Sequence, residues 1–254
     1  MKIKILNKKA EKIRFLVEDI TSPFANALRR IMITEIPNLV IDYVNITENS
    51  SALFDEVLAH RLGMLPLVFD PKKFNFKDQC KCKGKGCPLC EVVFELDKKG
   101  PGMVYSSDLK CKNKNVKVTH PNFPIVELLD NHEVKLSAVA RLGLGSEHSK
   151  YYAANASYQY YPEIEVKGDA RSAVKECPKG LLVLRGSKVV LKDPTKCDLC
   201  KSCESENLKV NFDDSKFIFN VDSISGLDPA YIIIRAAEIL AEKADTFKKA
   251  VAKI

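Results

Sequence analysis

Eight of the nine cysteines in this 254-residue chain fall into two sets of four. Cys80, Cys82, Cys87 and Cys90 lie together in CKCKGKGCPLC, Cys177 joins Cys197, Cys200 and Cys203 further on, and Cys111 stands alone. Four is the ligand number of a tetrahedral metal centre. Whether such thiols bind metal or pair as disulfides depends on the compartment. The N-terminal stretch MKIKILNKKAEKIRFLVEDI alternates apolar and polar residues and never builds the apolar block of a signal peptide. No later run approaches the roughly 20 apolar residues of a membrane span. The expectation is a folded cytoplasmic chain in which disulfides are disfavoured and the cysteines need another reason. A lone cysteine such as Cys111 is most often a small buried apolar residue.

The second set has the more specific spacing. Cys197-x2-Cys200-x2-Cys203 follows a Cys177-Pro178 pair, and the residues between read as a hairpin of Leu182–Leu184 and Val189–Leu191 turned at Arg185-Gly186-Ser187. Bacterial ferredoxins carry C-x2-C-x2-C-x3-C-P twice, each run lending its fourth cysteine to the other cluster. Here the Cys-Pro tail of a first run survives, followed by three cysteines of a second. The remaining positions hold Lys167, Ala170, Ala173 and Asn207, which are the ligand positions of one cluster. One site is therefore lost whole and the other kept whole. Cys177, Cys197, Cys200 and Cys203 are expected to hold one [4Fe-4S] or [3Fe-4S] cluster; a four-cysteine zinc site is the other reading.

The first set reverses the balance. Two close pairs, Cys80-x-Cys82 and Cys87-x2-Cys90, flank a flexible Lys-Gly-Lys-Gly and can close around Zn2+ as a structural staple, with lysines offsetting the charge of a zinc tetrathiolate. A disulfide pair is the alternative.

Two helices bracket the chain. Asp228 is an N-cap with Pro229 at the first helical position. Ile233, Ala237, Leu240, Ala244, Phe247, Val251 and Ile254 then repeat at spacings of 4, 3, 4, 3, 4 and 3. That seam runs over about 25 residues, or roughly 37 Å of helix. It fits either a helix covering its own sheet or, through its alternation of small and large residues, contact with another subunit. Lys243, Lys248, Lys249 and Lys253 lie off it. Near the other end, Thr21-Ser22-Pro23 opens the helix FANALRRIMITEI, which Pro37 stops. Phe24, Leu28 and Ile31 line one face, and Arg29 and Arg30 project elsewhere as a solvated pair or as carboxylate anchors for a partner. A third helix is expected from Ser51 through Leu62, with Phe54, Val57, Leu58 and Leu62 on its apolar side, Gly63 as cap, and His60 and Arg61 beside them.

Between these helices the chain is strand-rich. VVFELDKKGPGMVYSS predicts a hairpin turned at Gly100-Pro101-Gly102, and VKLSAVARLGLG and YQYYPEIEV predict further strands. Leu142-Gly143-Leu144-Gly145 lacks the third glycine and following helix of a dinucleotide site. There is no phosphate-binding loop and no outline of an active site. The net charge of +7 is spread along the chain without a concentrated basic face, which counts against a zinc-containing nucleic-acid binder. A ferredoxin-like electron carrier is a further alternative, with no second redox centre in sight.

Four strings carry a family resemblance. PFANALRRIMITEIPNLVIDYV resembles the N-terminal helix and turn of RNA polymerase α-like subunits, and DEVLAHRLGMLPL and LGLGSEHSKYY are similar to two signatures of the archaeal and eukaryotic branch. FIFNVDSISGLDPAYIIIRA resembles the strand leading into the last helix. With the ferredoxin-like insert, the whole chain resembles the D-type α-like subunits of archaeal RNA polymerase. The resemblance implies an α+β fold in three parts: a dimerisation module from 1–42 plus 211–254, a strand-rich domain with the zinc loop over 43–166, and an iron–sulfur insert over 167–210. It implies a non-catalytic assembly subunit of a nucleotidyltransferase complex. The first and last helices would pair with the smaller α-like subunit L, and the pair would dock the two large catalytic subunits, with Arg29, Arg30 and the His60–Arg61 stretch on that surface.

Overall fold

A computed structural model describes residues 1–186 and 188–253; Ser187 of the expected turn and Ile254 of the expected seam lie outside the described residues. In chain order the elements are β1 (Lys2–Lys8), β2 (Lys12–Glu18), α1 (Ser22–Thr34), β3 (Asn38–Asn49), α2 (Asp55–Gly63), β4 (Leu67–Val68), β5 (Glu91–Lys99), β6 (Gly102–Tyr105) and β7 (Lys110–Cys111). They continue with β8 (Lys117–Val118), β9 (Pro124–Leu128), β10 (Glu133–Gly143), β11 (Ala154–Val166), α3 (Ala173–Glu176), β12 (Leu182–Arg185), β13 (Lys188–Leu191), β14 (Leu208–Ser223) and α4 (Pro229–Val251). The fold class is α+β, as expected. The chain divides into two compact units, one of residues 1–29 and 156–221, the other of 30–155 and 222–254.

The first unit is built on a four-stranded sheet in the order β1-β2-β14-β11. Alternation in β2 sends Ile13, Phe15 and Val17 inward, and Phe15 stacks on Phe219 of β14 with ring centroids 5.1 Å apart. Tyr158 of β11 meets Phe217 edge-on. The ferredoxin-like segment belongs to this unit. Its hairpin forms as expected, β12 pairing with β13 from Leu182↔Leu191 to Arg185↔Lys188. Beneath it lies a small core of Ala170, Ala173, Leu182, Val189, Cys203, Leu208 and Val210.

The second unit centres on the sheet β3-β10-β5-β7. β10 is its middle strand, and Val134, Leu136, Ala138, Ala140 and Leu142 face inward at a spacing of two. Two expectations are corrected here. The segment around Gly100-Pro101-Gly102 does not close a hairpin. β5 pairs with β10 along its whole length and with β7 on its other side, so β6 pairs with β9 instead. The redirection happens at Gly100, whose N–H donates to the His132 carbonyl at 2.8 Å and whose missing side chain leaves room for the Leu129 carbonyl. The third helix starts at Asp55 rather than Ser51, because Asn49 and Ser51 tie the preceding residues into side-chain turns: Asn49 Nδ2 donates to the Leu53 carbonyl and Ser51 Oγ to Asn49 Oδ1. Of its expected apolar side, Leu58 and Leu62 are buried, whereas Phe54 is 78% exposed and Val57 is also exposed.

α4 begins as expected. Asp228 Oδ1 accepts from the Ala230 N–H at 2.9 Å, with Pro229 in the first turn. Its inward stripe is Pro229, Ile232, Ala236 and Ile239. From residue 241 to 253 every residue is exposed.

Candidate metal centres and partner surface

The first cysteine set occupies a loop that enters β5. Lys83, Gly84 and Gly86 adopt left-handed backbone angles, at φ +54°, +79° and +86°, which reverse the chain between the two pairs. The loop is pinned to β5 by an ion pair between Lys77 Nζ and Glu91 Oε1 at 2.6 Å. Cys80 and Cys87 sulfurs lie 3.5 Å apart, Cys82 and Cys90 3.6 Å, and Cys87 and Cys90 3.7 Å. Among the described residues, this is the one group whose ligand atoms all lie within 4.8 Å of one another, and it could hold a metal ion. Burial pushes the Cys82 thiol up, but thiol hydrogen bonds from Cys80 and Cys90 outweigh it and bring it down to about 7. Burial dominates at Cys90, which is pushed up to about 12. A low-pKa thiol among buried ones is a site at which the first proton leaves easily and the remainder leave to a cation.

The second set does not gather that tightly, although its members sense one another. Cys197 and Cys203 are pushed above the ordinary thiol value, first by burial and then by nearby charge: Asp198 and then the other cysteines at Cys197, the other cysteines at Cys203. Cys177 differs. Burial works against its thiolate, yet the backbone N–H groups of Leu181, Lys179, Leu182 and Gly180 hold it below the ordinary value. The Leu181 N–H lies 3.4 Å from Cys177 Sγ. Leu199 and Lys201 flank Cys200 in the left-handed region, at φ +60° and +62°. A leucine in that region is an outlier that the surrounding structure must enforce. Of the positions that the spacing reading finds without a cysteine, Ala170 and Ala173 are buried in the small core, and Asn207 Nδ2 donates to the Asp169 carbonyl at 3.0 Å.

The partner residues expected from sequence divide by exposure. Along the α4 seam, Ala237, Ala244, Phe247 and Val251 are exposed and Ile233 and Leu240 half-buried; Phe247 is 72% exposed. Ile239, Glu242, Lys243, Thr246, Phe247 and Ala250 line a shallow groove on this helix. On α1, Leu28 and Ile31 are buried within the chain and Phe24 is exposed. Arg30 is exposed, while Arg29 is half-buried and donates to Asn26 Oδ1 at 2.9 Å. His60 is exposed, and Arg61 Nη1 donates to the Ile125 carbonyl at 2.7 Å.

Sequence reasoning missed one polar constellation. Asp42 of β3 accepts from Lys150 Nζ at 2.6 Å and Tyr151 Oη at 2.7 Å and pairs with Arg141 Nε at 2.8 Å. Burial raises the Asp42 carboxyl, but hydrogen bonds from Lys150 and Tyr151 prevail and hold it below its ordinary value. The signal was present in LGLGSEHSKYY. A Cβ at Gly143 would stand 2.5 Å from the Tyr151 ring, and one at Gly145 2.6 Å from the Tyr152 ring, so the two glycines are tyrosine seats.

Among the described residues, no helix is long and apolar enough to cross a membrane. Residues 44–160, which run from β3 to β11, match the family model described as the RNA polymerase Rpb3/RpoA insert domain, and the α+β architecture fits an α-subunit-like fold. Over nearly the whole chain the similarity extends to proteins named DNA-directed RNA polymerase subunit Rpo3. The relative from Methanosphaera stadtmanae is 39% identical, covering 96% of each chain; that from Methanothermobacter thermautotrophicus is 39% identical, covering 96% of this chain and 97% of its own. The Archaeoglobus fulgidus relative is 36% identical over 99% of this chain and 98% of its own. The chain belongs to the Rpo3 family of RNA polymerase subunits.

Proposed function

We propose that the chain is a non-catalytic assembly subunit of DNA-directed RNA polymerase, working in the cytoplasm. Its two ends, 1–42 and 211–254, form a dimerisation module for the small α-like subunit L. Residues 43–166 are the strand-rich domain and 167–210 the iron–sulfur insert. The carrying observation is α4: its inner stripe is used by the chain itself, while Ala237, Ala244, Phe247 and Val251 form a second apolar stripe left in water. Exposed apolar stripes of this regularity mark association surfaces. The pair then presents Arg29, Arg30 and the His60–Arg61 stretch to the two large catalytic subunits, while Phe24 belongs to the pairing face.

In this reading Cys80, Cys82, Cys87 and Cys90 hold Zn2+. Zn–S bonds of about 2.3 Å give a tetrahedron with edges of about 3.8 Å, close to the observed sulfur separations of 3.5–3.7 Å. Cys177, Cys197, Cys200 and Cys203 hold one iron–sulfur cluster, [4Fe-4S] or [3Fe-4S]. Their wider setting, the N–H groups aimed at Cys177 and the enforced backbone around Cys200 support a multi-iron group over a single ion. Either group would act structurally, reinforcing segments whose own core is small, such as the seven-residue cluster of the insert; the cluster thereby also ties assembly to oxygen or iron supply. Anaerobic affinity purification from the native cell tests the proposal. The large subunits and L should co-purify, with zinc, iron and sulfide bound to the complex; recovery of the chain without polymerase subunits would refute it. Cys197→Ser with Cys203→Ser should weaken the pair, and a pair of unchanged stability would remove the structural role of the cluster.

A further inference from the structure

Outside the cysteines, two side chains of the first unit's sheet reach the ligand loop. Gln159 of β11 donates from Nε2 to the carbonyl of Cys197 at 2.8 Å. Arg14 of β2 donates from Nη2 to the carbonyl of Thr195. The turn they grip is already stiff. Asp193 Oδ1 accepts from the Thr195 N–H at 3.1 Å and from Thr195 Oγ1 at 2.7 Å, and the Cys197 N–H donates back to the Pro194 carbonyl. On the far side, Lys179 pairs with Asp198 at 2.9 Å and so ties the Cys177-Pro178 turn to the same loop.

We propose that Arg14 and Gln159 are positioning residues for Cys197: they fix its backbone to the sheet and so set where its thiolate meets the cluster. This rests on the iron–sulfur reading of the second cysteine set. Cys197 opens the run that also holds Cys200 and Cys203, so its backbone carbonyl is the point at which that run is tethered to the body. A ligand held by a stiff, doubly hydrogen-bonded turn cannot drift from its iron without breaking both contacts. Arg14 has a second property: its Nε is buried with no hydrogen-bond partner among the described residues, which places a guanidinium, a cationic side chain, beside the loop. A fixed cation near a cluster favours its more reduced, more negative state.

The test uses the full chain, purified anaerobically as wild type, Gln159→Leu, Arg14→Leu and Arg14→Lys. Lys216→Ala is the control, since it breaks an ion pair with Asp213 in the same sheet without touching the loop. Iron and sulfide per chain, the rate of iron release to a ferrous chelator, and the visible circular dichroism of the cluster are read for each. Gln159→Leu and Arg14→Leu should release iron about 10-fold faster, the typical effect of removing an outer partner of a metal ligand. They should also change the circular dichroism band shape, while Arg14→Lys recovers part of both and Lys216→Ala leaves both as in wild type. If wild type carries no iron and sulfide, the cluster reading fails and the positioning role with it. If wild type carries the cluster but the variants release iron at its rate, or Lys216→Ala releases iron as fast as they do, the cluster reading stands and the positioning role is refuted. Should Arg14→Leu not fold, the comparison of Gln159→Leu with Lys216→Ala decides alone.

Discussion

Asp42 shows how much of this chain's stability rests on single side chains. Its carboxylate is shared by Lys150, Tyr151 and Arg141, and Tyr151 reaches it because Gly143 has no Cβ. Gly143→Ala forces the Tyr151 ring to move within a packed interior, at a cost of about 1–3 kcal/mol, visible as a lower denaturation midpoint. Tyr151→Phe keeps the packing and removes one donor to a charged acceptor, costing about 1–2 kcal/mol. The network also makes stability depend on pH. Because the folded Asp42 carboxyl is held below its unfolded value, the contribution is complete above that value of about 3.9 and disappears as acid carries the pH down through the folded one. Acid titration of unfolding should therefore lose one component in Asp42→Asn; an unchanged profile would show that the network carries no such linkage.

At the scale of elements, α4 separates two jobs on one helix. Ile239 belongs to the inner stripe and Phe247 to the outer one. Ile239→Ala should destabilise the isolated chain by about 2 kcal/mol or more. Phe247→Ala should leave that stability within about 0.5 kcal/mol while weakening capture of the proposed partner L, measured by co-purification or titration. The exposed Ala237, Ala244, Phe247 and Val251 lie on the 3.5-residue seam that the sequence displays, whereas the inner stripe was not legible there. Ile232, Ile233 and Ile234 are consecutive, so periodicity alone does not say which of them turns inward. The misread Gly100-Pro101-Gly102 hairpin has a related cause. Turn residues report a local change of direction, whereas strand pairing was decided by β10, more than thirty residues further on, which had already taken the flank of β5. Ser51 was misplaced in a helix for the opposite reason: Asn49 and Ser51 offered the backbone closer hydrogen bonds than a helix would.

Across the whole molecule, the first four thiols were the easiest feature to read, because residue type and spacing alone group them as the fold does. The residues that orient such a set were illegible. Arg14 and Gln159 are ordinary members of alternating strands until the fold brings them to Thr195 and Cys197. On the proposed zinc reading, removal of the first set by Cys80→Ser with Cys90→Ser should abolish about one equivalent of bound zinc per chain and raise hydrogen exchange over residues 76–90 while the β10-centred sheet keeps its protection. Loss of protection throughout would show that the loop is a keystone of the sheet and not a local staple.

The bare second half of α4 sets a rule of supply. On the proposed pairing, a chain made in excess of its partner keeps Phe247 and Val251 in water along with the rest of residues 241–253. Its fold is not weakened, since its inner stripe is satisfied. What grows with the surplus is its tendency to stick to itself or to whatever else offers an apolar groove, so the cell's cost of unequal synthesis falls on the unmatched copies and leaves the assembled ones untouched.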